Sequence, residues 1–144
     1  MSQPASWIAD EYGGSYLNNP QQQQRDLAAA HDMAVLIQQT VQAKGGDYRR
    51  TGELINETLD ELSDRAPFGF VTPAFALGMT QVLLDRANSM SGPEFVQYLE
   101  GIRDRDNPLF FWQQSTLDPL MDEVKERTRA HVEEIYGRST FSVF

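Results

Sequence analysis

The chain predicts an all-α fold, a compact bundle of about five helices with an extended N-terminal arm and a short extended C-terminal tail. Two patterns carry that expectation. Five of the seven prolines stand where a helix would begin, at Asn19-Pro20, Thr72-Pro73, Gly92-Pro93, Asn107-Pro108 and Asp118-Pro119. Proline is tolerated at the first helical position, where its missing N–H would be unpaired anyway, and Asn, Thr or Asp before it can accept from the first-turn N–H groups. Between these marks the apolar residues recur at alternating steps of three and four, the period of an amphipathic helix. A chain of 144 residues makes one domain with a single core.

Residues 1–18 lack a helical period and contain Gly13-Gly14, so they read as an arm. Trp7, Ile8, Tyr12, Tyr16 and Leu17 lie along it, and disordered tails are normally poor in such residues. The bundle is expected over 19–137. Its first helix runs from Pro20 to about Lys44 and stops at Gly45-Gly46, which suits a left-handed C-terminal cap. Leu27, Ala30, Ala34, Ile37 and Val41 form its inner stripe, widened by Met33 and Leu36.

The second helix lies between Asp47 and Pro67, with Tyr48, Ile55, Leu59, Leu62 and Ala66 as its inner face. Its outer face carries Glu53, Glu57 and Glu61 beside Asp60 and Asp64. The third helix, from Thr72-Pro73 to about Met90, is apolar around most of its circumference and is expected at the centre. The fourth opens at Ser91 with Glu94 three residues on, the spacing of a capping box, and turns Phe95, Tyr98, Leu99 and Ile102 inward.

A separate short helical turn is expected near 108–114, where Phe110, Phe111 and Trp112 point in three directions. The fifth helix starts at Asp118-Pro119, buries Leu120, Met121, Val124, Val132 and Ile135, and ends at Tyr136 before Gly137. Residues 138–144, rich in β-branched and aromatic side chains, read as an extended tail.

Composition excludes several classes of function. There is no cysteine, which removes disulfide frameworks, thiolate metal sites and a cysteine nucleophile. The N-terminal residues lack the basic and apolar regions of a signal peptide, and the longest apolar-rich stretch, Phe68 to Leu84, is broken by Gly69, Pro73 and Gly78. A soluble protein, cytoplasmic at synthesis, is expected. A net charge of −9, spread along the chain, repels a phosphate backbone and disfavours nucleic acid as a partner.

Chemistry is nearly silent. The two histidines, His31 and His131, have no Glu-x-x-His or His-Glu-x-x-His context. Neither glycine pair has phosphate-loop spacing, and no serine stands in a nucleophile-elbow pattern. No carboxylate stands alone in an apolar run, as an acid with a raised pKa would. No catalytic, cofactor-binding or metal-binding residue is assigned, no cofactor is implied, and the chain reads as a non-enzyme.

The aromatic ends are the remaining signal, because Trp and Tyr are frequent interface anchors. Trp7, Tyr12, Tyr16, Phe110, Trp112, Phe141 and Phe144 are the candidate partner contacts. They point to a structural or adaptor protein of a larger assembly, such as a virion, a phage or a secretion-type particle, whose partners are other protein subunits or copies of itself. The alternative is a small acidic regulator that covers a basic, for example nucleic-acid-binding, surface with Glu53, Glu57, Asp60, Glu61 and Asp64.

Overall fold

A computed structural model describes residues 16, 18–65, 72–103 and 110–142, with side chains at 16, 18–60, 73–101 and 119–136. Five helices account for nearly all of them: α1 (Pro20–Ala43), α2 (Tyr48–Arg65), α3 (Thr72–Ser89), α4 (Gly92–Arg103) and α5 (Phe110–Ser142). The expected all-α bundle is the observed fold.

Local chemistry sets most of the boundaries. The Asn19 side chain accepts from the Gln22 N–H at 3.1 Å and caps α1 ahead of Pro20. Gly45 ends that helix with φ +91, a left-handed conformation that glycine adopts without penalty. Asp47 Oδ1 then accepts from the Arg50 N–H at 2.7 Å at the start of α2. The capping box at Ser91 forms in both directions, with Glu94 N–H donating to Ser91 Oγ at 3.2 Å and Ser91 N–H to Glu94 Oε1 at 3.1 Å.

The last helix departs from expectation. One helix of 33 residues, with Pro119 inside it, replaces the separate turn near 108–114 and the helix from Pro119 to Tyr136. Its backbone stays helical through Ser142, so residues 138–142 are helix where an extended tail was expected. Proline removes one intrahelical hydrogen bond, and Pro119 itself is exposed. Gly137 in a helix interior costs only about 1 kcal/mol relative to alanine, too little to end a helix by itself.

α3 is central, as its composition predicts. Ala74, Phe75, Ala76, Leu77, Met79, Val82, Leu83 and Ala87 are all buried. Around them pack Ile37 and Val41 of α1, Leu54 and Ile55 of α2, Phe95 and Leu99 of α4, and Leu120, Met121 and Val124 of α5. Gly78 lets α3 cross α5 closely, since a Cβ there would lie 2.6 Å from Thr128 Oγ1 and 3.2 Å from the Val124 carbonyl.

Side-chain contacts fix the directions of the helices. Lys44 Nζ, at the end of α1, donates to the carbonyls of Ala87, Asn88 and Met90 at the end of α3, at 2.9–3.0 Å. The two helices therefore run parallel, and the lysine satisfies carbonyls that α3 leaves unpaired. At the same end the Gly92 N–H donates to the Lys44 carbonyl at 3.2 Å, and a Cβ on Gly92 would meet the Gly46 nitrogen at 2.3 Å. Glycine against glycine brings the starts of α2 and α4 together there. α5 runs antiparallel to α3, joined by Arg127 to Asp85 at 2.9 Å and by Arg86 to Glu123. No helix among the described residues is long and apolar enough to cross a membrane.

Candidate functional site

The stripe of α1 that faces the bundle differs from the expected one at its first turns. Leu27 points outward and is 55% exposed, while its neighbour Asp26 is buried beside Ala30, Ile37 and Val41. Burying a carboxylate without partners is costly, and here three donors meet it. Tyr16 Oη donates to Asp26 Oδ2 at 2.7 Å. Gln22 Nε2 donates to Oδ1 at 2.9 Å, and His131 Nε2, reaching over from α5, lies 2.9 Å from the same oxygen. With a carboxylate on the other side, His131 is the donor, so Nε2 carries its proton.

This cluster holds the end of the N-terminal arm. Tyr16 is fully buried. Its carbonyl accepts from Gln23 Nε2 at 2.7 Å and from the Asn19 N–H at 3.1 Å. Asn19 Nδ2 reaches Tyr136 Oη on α5 at 3.3 Å. Burial pushes the Tyr16 phenol far above its ordinary range; the hydrogen bond to Asp26 and the negative charge of that carboxylate push the same way, and the Ala74 N–H at the start of α3 opposes them. The phenol stays protonated and remains a donor. Tyr16, α1, α3 and α5 are tied at one point.

Of the predicted contacts, Tyr16 is therefore an anchor to its own bundle. Trp7, Tyr12 and Phe144 lie outside the described residues, and Phe110, Trp112 and Phe141 lie on the helical backbone of α5 with their side chains outside the description. Tyr48, expected inward, stands partly exposed; α2 buries the expected Ile55 together with Thr51, Leu54 and Thr58.

The acidic face of α2 is less negative than its sequence suggests. Arg50 lies 3.3 Å from Glu53, 3.7 Å from Glu57 and 3.3 Å from Glu100 of α4, and Arg49 lies 3.9 Å from Glu53. Asp60 is exposed; Glu61 and Asp64 lie on the helical backbone, with side chains outside the description.

Beside this face, α1 and α2 enclose an open groove of about 560 Å³ with His31, Val35, Gln38, Tyr48, Arg49 and Gly52 among its walls. Gly52 keeps the floor low, because a Cβ there would sit 2.4 Å from Gln38 Nε2. Gln38 Nε2 in turn donates to the Tyr48 carbonyl at 3.0 Å and ties the two walls. Among the described residues no group of three or more His, Cys, Asp or Glu is placed to hold a metal ion.

Asp26, His131 and Tyr136 were not singled out by sequence reasoning as a cluster. A signal existed, since Asp26, Ala30, Ile37 and Val41 share one helical line, but Leu27 beside the aspartate competes for the same place on hydrophobicity alone.

The fold and site together define a helical bundle with Tyr16, just ahead of α1, buried on Asp26. No family model matches the chain, and the searches of curated proteins and of solved structures found no match.

Proposed function

We propose that this chain is a non-enzymatic structural or adaptor subunit of a larger assembly, such as a virion, phage or secretion-type particle, and that it docks neighbouring subunits through its terminal arms. The observation that supports this reading is the Tyr16 anchor. A buried tyrosine on a buried, three-donor aspartate gives the segment carrying Trp7, Ile8 and Tyr12 a fixed point of departure from a rigid body. Anchoring one end of a binding segment lowers the entropy it must lose on contact, which raises affinity without adding interface. The His131–Asp26 pair serves the same anchor, because both oxygens of the carboxylate are engaged by donors that hold the arm and α5.

The anchor also dictates where to cut. Removing residues 1–14 leaves Tyr16 and its hydrogen bonds in place, whereas a cut after residue 18 would strand Asp26. Light scattering on the full chain and on the 15–144 form tests the reading. The expected result is an oligomer that becomes a folded monomer on trimming, with unchanged helical circular dichroism. Equal molar mass for the two forms overturns it.

A further inference from the structure

We propose that the groove between α1 and α2 is the seat for the N-terminal arm of a second copy of this chain. The proposal rests on the assembly reading above and adds the surface that receives the arm.

Three observations point to that occupant. First, the groove is built and open within one copy: its walls are tied by Gln38, its floor is lowered by Gly52, and Arg49 on its rim is 92% exposed at the side chain. Leu27, one turn before His31 on the same line of α1, extends the apolar strip toward the end of the helix. Val35 and Tyr48 supply apolar surface of the kind that Trp7, Ile8 and Tyr12 would cover.

Second, the length of chain beyond the anchor suffices. Fifteen residues precede Tyr16 and span at most about 50 Å when extended, enough to leave one bundle and lie along another.

Third, the charges match. Asp10 and Glu11 immediately precede Tyr12 in the sequence, and the groove offers Arg49, while Glu53, which also lines it, is paired with Arg50 at 3.3 Å. Within the chain Arg49 meets Glu53 only at 3.9 Å, which leaves guanidinium donors for a carboxylate from outside. Arm and groove belong to the same sequence, so each copy gives one contact and receives one. Such a head-to-tail interface closes into a ring or extends as a filament.

Two variants of the full chain test the seat. Val35→Glu places a charge in the groove at a position outside the main core, so the bundle should keep its helical signal while the molar mass falls to that of one chain, 16.3 kDa. Because the chain has no cysteine, Ile8→Cys and Val35→Cys, made in separate chains and mixed under mild oxidation, report the pairing directly. A disulfide-linked dimer containing one of each is expected. Retention of the assembled mass by V35E, or failure of the mixed pair to link, overturns the proposal. So does a double variant that closes within a single chain in place of linking two, since the arm would then cover its own groove. An assembly that survives V35E but is lost on trimming residues 1–14 would retain the arm and discard the groove.

Discussion

Asp26 is the residue on which the most depends. Its carboxylate accepts from Tyr16, Gln22 and His131, groups from the arm, from α1 and from α5. Truncating it to alanine leaves the buried Tyr16 hydroxyl without that acceptor, which costs about 1–3 kcal/mol, more than the net worth of the hydrogen bond itself. Tyr16→Phe should cost about 1 kcal/mol or more by removing one of the three donors. Urea unfolding of both variants checks the values, and the milder effect belongs to Tyr16→Phe. The tyrosines also set a pH dependence. Burial raises the phenols of both Tyr16 and Tyr98, with Arg86 partly opposing at Tyr98. Below about pH 10 both states keep these protons; above it the unfolded chain loses them first. Stability should therefore be level up to about pH 10 and fall as pH rises further, and Tyr16→Phe should flatten that decline in a series of urea midpoints.

The contact between α3 and α5 turns on a glycine. Gly78 inside a helix costs about 1 kcal/mol against alanine by propensity, so Gly78→Ala would stabilise an isolated α3. In the bundle the new Cβ would meet Thr128 Oγ1 at 2.6 Å, and that hydroxyl is held by its own bond to the Val124 carbonyl at 2.7 Å. Forcing the helices apart typically costs 1–3 kcal/mol, so the expected net effect is a loss of about 1 kcal/mol. Thr128→Ala made together with Gly78→Ala should recover part of that loss. A thermal-melting cycle over the four proteins reads the coupling, and strict additivity would place the clash elsewhere. At the other end of the bundle, the junction of Lys44, Gly46 and Gly92 joins four helix ends with backbone and one lysine. There the conformational freedom and small size of glycine do what an apolar contact does elsewhere.

At the scale of the molecule the proposed assembly raises the question of what would hold copies together. Net charge opposes association, because every copy carries −9, and the exposed Arg49 contributes at most one ion pair at the rim of the groove. An assembly made by aromatic side chains in a groove should weaken little with salt. Between about 0.05 and 0.5 M salt the association constant should change by no more than about fivefold, since an exposed ion pair contributes about 1 kcal/mol or less. Sedimentation at the two ionic strengths measures it, and a steep salt dependence would move the interface to the charged faces.

The beginnings of the first four helices and the end of the first were legible in the sequence. Their signals are local: Asn19 before Pro20, Gly45 in a left-handed turn, Asp47 three residues before Arg50, and Ser91 facing Glu94. The central place of α3 was legible too, because a helix without a polar face has to be covered on all sides. The arm's anchor was not. Whether Asp26 or Leu27 turns inward depends on donors that lie 10 and 105 residues away, at Tyr16 and His131. The continuity of α5 through Pro119 was likewise not legible, since Asp-Pro marks a helix start in the sequence while the helix already runs from Phe110. Caps and breakers act over three or four residues, and the sequence by itself determined those. A buried charge is stable only where the whole chain brings its partners, and the tertiary structure alone decided that.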